Sequence, residues 1–232
     1  MVTPNIICSI AGEPKTGKSH LALTFPAKLV VFSLDVGIDP VLAKFKGKDI
    51  EVKMYPLPII DSVKGTGMGK EILAIWRQMN DDIKAATEDP EVKSIVIDTA
   101  TALYELARIA RAAELGQENL LQFQYGDVYA RMKAIIQRPR IAGQNLVLTH
   151  YLRDKYIKEQ NTGEKELDGW RHTEGEVDLV LVTRRELKTE KGGKKKSIIV
   201  TTIKDNRYDL ALNGVELEMA TYDDLAALVG GE

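Results

Sequence analysis

The stretch AGEPKTGKS, residues 11–19, constrains the fold more than any other part of the chain. Before it runs NIICSIA, an apolar and β-branched segment with the signature of a buried strand. After it runs SHLALTF, with Leu21, Ala22 and Phe25 at helical spacing. Gly12 and Gly17-Lys18-Ser19 match the spacing G-x-x-x-x-G-K-[ST]. Glycines there let successive N–H groups turn toward one anion, and a helix start adds free N–H groups and its dipole. The segment reads as a phosphate cradle built from Gly12, Glu13, Pro14, Lys15, Thr16, Gly17, Lys18, Ser19 and His20. Lys18 is placed for the β/γ-phosphates of a nucleotide and the Ser19 hydroxyl for Mg²⁺.

A chain of 232 residues with 44% hydrophobic side chains suits one α/β domain with a proper core. A net charge of −2 excludes a strongly basic nucleic-acid binder but not a local basic patch. The single cysteine, Cys8, excludes an intrachain disulfide, reads as a small buried hydrophobe and fits a reducing, cytoplasmic setting. The three scattered histidines, His20, His150 and His172, argue against structural zinc. No apolar run of about 18 residues suggests a membrane span.

Strand and helix then alternate. KLVVFSLD reads as the second strand and DIEVKMYPL as the third. DSVKGTGMGK, 61–70, reads as a linker, its Gly69-Lys70 lacking the spaced glycine of a phosphate loop. A helix over 71–88 ends before Pro90, and VKSIVID is an apolar run expected of a central parallel strand. Helices are expected around 100–114 and 126–138, the second closed by Pro139, followed by the buried strand QNLVLTH. Residues 152–176 are polar, mixed in charge and without strand or helix periodicity, and are expected to form a mobile loop over 151–172. Antiparallel strands over 177–218 follow, joined by the basic turn KTEKGGKKK and carrying an Asn213-Gly214 hairpin signal. A last helix starts at Thr221 as N-cap. The pattern predicts one domain, a three-layer α/β/α sandwich on a mostly parallel sheet with antiparallel strands at its C-terminal side.

Asp98, ending SIVID, is the carboxylate such a phosphate site needs beside its metal. Around it the chain resembles the RecA-like P-loop ATPases. IVIDTATALYE is similar to their metal-binding strand and turn, and VFSLDVGIDPVLAKFKG to the segment with the water-activating acid. NLVLTHYLRDKY and EGEVDLVLVTRREL resemble the sensor strand and the strand after the second DNA-binding loop, and TTIKDNRYDLAL the basic strand end. The resemblance covers roughly residues 5–215 and is nearest to the short phage-encoded single-strand annealing ATPases of the Sak group. It implies an ATP- and Mg²⁺-dependent ATPase in a bacterial host cytoplasm, metal held by Ser19 and Asp98, water activated by Asp35, and nucleotide contact at Asp39. It implies His150 as a γ-phosphate sensor, and Lys204 and Arg207 as cations reaching a neighbour's ATP in a ring or filament. Three departures stand out. Asp35 replaces the usual Glu, His150 the frequent Gln, and Leu42 an adenine-stacking aromatic. No polymerisation segment precedes the phosphate loop, so a filament is expected to use another surface.

Single-stranded DNA is the expected partner, with a single-strand binding protein as a further one. Arg153, Lys155, Lys158 and Arg171 supply cations beside Tyr156 and Trp170, which suit unpaired bases. Interleaved acids make the same segment equally a solvated loop, and the run Lys191–Lys196 is as well explained by a solvated turn as by a DNA finger. Annealing or strand pairing in recombination is the leading expectation. A replication or packaging motor or loader, and a nucleotide switch that never touches DNA, are the alternatives.

Overall fold

A computed structural model describes residues 5–58, 68–189, 193 and 195–230. In chain order the elements are β1 (Ile7–Gly12), α1 (Lys18–Ala22), β2 (Leu29–Ser33), α2 (Asp39–Leu42), β3 (Ile50–Met54), α3 (Met68–Glu88), β4 (Ser94–Asp98), α4 (Ala100–Glu114), α5 (Tyr125–Ala142) and β5 (Asn145–His150). They continue with β6 (Leu152–Ile157), β7 (Gln160–Leu167), α6 (Thr173–Glu176), β8 (Leu179–Thr189), β9 (Lys195–Asn206), β10 (Glu216–Glu218) and α7 (Tyr222–Gly230).

Eight strands form one sheet in the order β10-β9-β8-β1-β5-β4-β2-β3. All neighbours from β8 to β3 pair parallel, and β9 runs against both β8 and β10. This is the mostly parallel sheet with antiparallel C-terminal pairing that the sequence pattern predicts. β8 itself pairs parallel with β1, so the antiparallel part begins at β9.

Both faces are covered, which is why the central strands read as unbroken apolar runs. Ile7, Phe32, Ile97 and Leu148 point to α3, α4 and α5, where they meet Trp76, Met79, Leu103 and Met132. Cys8, Val31, Val96 and Val147, one residue out of phase, pack with Leu21 of α1, Phe25 and Leu225 of α7 on the other face. Burial raises the Cys8 thiol pKa well above its ordinary value, consistent with an inert core residue.

Four expectations change. Pro139 lies inside α5, which runs one more turn and stops at Gly143, in the left-handed region at φ 69°. Gln144 N–H then closes the turn on the Pro139 carbonyl at 2.9 Å. Gly69 and Lys70 belong to the first turn of α3 rather than to a linker, while 61–67 lie outside the described residues. Lys188 and Thr189 close β8 and Lys195 and Lys196 open β9, while 190–192 and 194 of the basic turn lie outside the described residues. Most consequential, 152–167 is a two-stranded antiparallel hairpin, not an unstructured loop. Its tight turn is Lys158-Glu159, at φ 49° and 66°, positions where sequence rules look for Asn-Gly. Its strands alternate charge instead of hydrophobicity and are tied by Arg153–Glu166 at 2.9 Å, Asp154–Lys165 at 2.9 Å and Lys155–Glu164 at 2.7 Å.

One buried amide locks the strand starts. Asn145 Oδ1 accepts from Ile6 N–H at 2.8 Å, and Nδ2 donates to the Lys93 carbonyl at 3.0 Å and Ser94 Oγ at 3.3 Å. The side chain joins β5 to β1 on one side and β4 on the other. Asn145→Leu is expected to lower unfolding free energy by about 1–3 kcal/mol, because a buried N–H loses its acceptor. Urea denaturation measures this, and nucleotide affinity should stay unchanged because the site lies at the opposite strand ends.

Candidate nucleotide site

The cradle is held by contacts that tolerate no side chain at its two glycines. A Cβ on Gly12 would lie 2.4 Å from Thr183 Oγ1 and 2.6 Å from Thr16 Oγ1. Gly17 sits at φ +85°, and its Cβ would lie 2.4 Å from Ile199 Cδ1. Thr16 is buried, donates to the Glu13 carbonyl at 2.7 Å and shares a 2.9 Å bond with Thr183. Arg185 donates to the Lys15 carbonyl at 2.7 Å, while Glu13, Pro14 and Lys15 are exposed. β8 and β9 therefore brace the loop from outside. α1 spans only five residues, so the loop N–H groups and Lys18, rather than a long helix dipole, must carry the attraction for an anion.

Lys18 is buried, and its Nζ donates to the Gly12 carbonyl at 2.8 Å and the Glu13 carbonyl at 2.9 Å. Burial lowers its pKa, against the pull of Asp98, Glu13 and Asp35. The ammonium is thus held across the mouth of the cradle, ready to exchange carbonyl oxygens for phosphate oxygens of higher charge.

Ser19 Oγ donates to Asp98 Oδ2 at 2.8 Å, and Thr149 Oγ1 donates to Asp98 Oδ1. The carboxylate is 5% exposed, so both of its oxygens need these donors. The pair Ser19–Asp98 is all oxygen, the donor type Mg²⁺ takes. Among the described residues no group of three or more His, Cys, Asp or Glu could hold a metal.

The last two residues of β5 and the residue after it have three different partners. Thr149 reaches Asp98. His150, fully buried, has Nδ1 3.1 Å from the Asp168 carbonyl, just beyond β7. A carbonyl only accepts, so Nδ1 carries the proton and Nε2 is left as an acceptor. Nε2 is buried with no protein partner among the described residues. Tyr151 Oη donates to Asp35 Oδ2 at 2.7 Å, and Lys18 Nζ lies 5.1 Å from its ring centre. Thr149, Tyr151 and Thr183 were not singled out for the nucleotide site from sequence. Of these, only Tyr151 carried a signal, its place directly after the sensor position.

The hairpin leans on the cradle through Lys165–Glu13 at 3.6 Å. Thr101 Oγ1 donates to the Asp168 carbonyl at 2.7 Å and accepts from Tyr151 N–H at 3.1 Å, fixing the hairpin root. Asp39 opens α2 and is exposed, and the segment after it packs on α1 through His20 and Phe45, ring centres 5.1 Å apart.

Other expected residues lie elsewhere. Trp170 is 3% exposed and packs on Tyr129 and His172, so it offers no face to a base, contrary to expectation. Tyr156, by contrast, is 59% exposed on the hairpin. Arg153 and Lys155 are spent on cross-strand acids, Lys158 stands at the turn, and Arg171 is exposed beside His172. Thr201 of β9 is level with Thr183 and hence with Gly12. Arg207 lies six residues on, roughly 20 Å at strand rise, paired with Asp178 near the start of β1. Lys204, between them, pairs with Glu174 at 2.8 Å. Neither bonds to this chain's own cradle.

Burial lowers the His150 pKa from 6.5 to about 4, against the Asp168 hydrogen bond that raises it, while Lys18 lowers it further. Below pH 6.5 the unfolded chain gains a proton there that the folded chain refuses. Stability should therefore fall as pH drops from 6.5 toward 4, by roughly 3 kcal/mol from this residue. His150→Gln should flatten that slope in pH-dependent urea unfolding, whatever it does to stability at pH 7.

Among the described residues no helix is long and apolar enough to cross a membrane. No curated protein matches the chain. A family model described as an AAA domain matches residues 4–209. That span takes in the cradle, the Asp98 carboxylate, β5, the hairpin and all of β9. The chain therefore belongs to the AAA domain family, with a nucleotide-binding P-loop ATPase-type domain.

Proposed function

We propose that this ATPase is RecA-like, uses ATP with Mg²⁺, and binds single-stranded DNA to promote annealing or strand pairing, as in the short phage-encoded Sak-group proteins it resembles. The observation that carries the reading is the attachment of the hairpin to the nucleotide site. His150–Asp168, Tyr151–Asp35 and Lys165–Glu13 join the root and one strand of the hairpin to the sensor, the acid and the cradle.

In this reading Gly12, Gly17 and the loop N–H groups fix the phosphates, and Lys18 gives up its carbonyls to them. Ser19 and Asp98 hold Mg²⁺, which neutralises phosphate charge when bound. Asp35 orients the attacking water, and the buried Nε2 of neutral His150 accepts a hydrogen bond from a water or a hydroxyl rather than donating one to phosphate. Asp39 lies beside α1 for the nucleoside end. Lys204 and Arg207 serve a neighbouring copy's ATP, in a ring or filament, since each is paired with an acid away from this chain's own cradle. A single-strand binding protein is a further partner.

On the DNA side, exposed ion pairs are worth only about 0–1 kcal/mol, so Arg153 and Lys155 can trade carboxylates for phosphates at little cost. Tyr156 supplies the stacking face, with Lys158 at the nearby turn and Arg171 as a further cation beyond the hairpin root. The same ion pairs, which leave the hairpin nearly neutral, favour a second reading: a nucleotide switch that does not bind DNA. A motor or loader would show DNA translocation.

Lys18→Ala should abolish ATP turnover in folded protein, and unchanged turnover sinks the cradle assignment. With a non-hydrolysable ATP analogue at low salt, the wild type should bind single-stranded DNA with little sequence preference. Tyr156→Ala should weaken that binding by about 1–3 kcal/mol with an unchanged salt slope. Arg153→Ala combined with Lys155→Ala should reduce the salt slope. No binding by the wild type at low salt hands the case to the switch.

A further inference from the structure

Asp35 is the acid with the loosest hold. Asp35 is half-buried two residues past the end of β2, and its side chain is one methylene shorter than a Glu. Among the described residues the only hydrogen bond to that carboxylate comes from Tyr151, at 2.7 Å on Oδ2. The Ser33 hydroxyl, close by in sequence, is committed to the Asp35 backbone carbonyl at 2.6 Å. Oδ1 is left open to solvent or substrate water.

Tyr151 is itself fixed at three points. Its N–H donates to Thr101 Oγ1 at 3.1 Å, its carbonyl accepts from Asp168 N–H at 2.9 Å, and its ring lies beside the Lys18 ammonium at 5.1 Å. The ring spans the gap between the cradle lysine and the Asp35 carboxylate.

We infer that Tyr151 is a positioning residue for hydrolysis, pinning one oxygen of Asp35 so that the other is presented to the attacking water. The inference rests on the reading of Asp35 as the water-orienting acid. Pinning fixes the rotamer of a carboxylate that carries no other hydrogen bond among the described residues. The phenol keeps its proton throughout, because burial and the Asp35 carboxylate push its pKa up to about 12. No bond to Tyr151 forms or breaks. Since Tyr151 is also the first residue of the hairpin root, a ligand that shifts the hairpin would shift the acid with it.

Tyr151→Phe removes the hydroxyl and keeps the ring beside Lys18. In the full chain, kcat for ATP should fall roughly 10- to 100-fold, the cost of a misplaced catalytic group. Affinity for a fluorescent ATP analogue should change less than about twofold, and the thermal midpoint little. In an Asp35→Asn background, where kcat is already low, adding Tyr151→Phe should change kcat less than about twofold, because the two side chains act as one unit. Equal losses in both backgrounds, or a loss of nucleotide affinity, would overturn the inference in favour of a packing role. Wild-type kcat in Tyr151→Phe with Asp35→Asn impaired would overturn it while leaving the Asp35 reading intact. Wild-type kcat in Asp35→Asn would remove that reading, and this inference with it.

Discussion

The site depends on one buried carboxylate. Asp98 ends a central strand, almost without solvent, and its two oxygens are met by hydroxyls from two different elements, Ser19 of α1 and Thr149 of β5. A charge so placed is tolerable only while both donors stay. That requirement sets the relative positions of the helix leaving the phosphate loop and of the strand running to the hairpin. Ser19 and Asp98 supply the oxygens that would hold Mg²⁺, which would neutralise phosphate charge there.

From Thr149 the chain carries the connection outward. Side chains alternate along β5, so Thr149 and Tyr151 fall on one side and His150 on the other. Thr149 answers to the Asp98 carboxylate, His150 to the Asp168 carbonyl, and Tyr151 to Asp35. Three adjacent residues thus touch two carboxylates and both ends of the hairpin root. A small rearrangement at the phosphates has a short, contiguous and hydrogen-bonded route to 152–167, with no need for a long chain of packed side chains.

Much of this was legible in the sequence because it rests on local rules. The glycine spacing specifies the cradle, and contact distances at Gly12 and Gly17 explain why nothing larger serves. Unbroken apolar runs specify strands covered on both faces, and the sheet has them. The hairpin was not legible, since its strands alternate charge with charge and its turn is Lys158-Glu159. Cross-strand ion pairs, invisible to a hydrophobicity pattern, hold it. Trp170 misled for a related reason. An aromatic among charges reads as exposed, but the chain turns inward there and seats the ring on Tyr129. Pro139 misled because the helix runs on through it, giving up one N–H of its ladder, and stops at Gly143.

The central claim is that nucleotide at the cradle is felt by the hairpin through the end of β5. Amide hydrogen–deuterium exchange with and without a non-hydrolysable ATP analogue and Mg²⁺ tests it most directly. The account predicts increased protection across 151–168 together with the cradle, and no change in α3. Protection confined to the cradle and α1, with 151–168 exchanging as before, would contradict it.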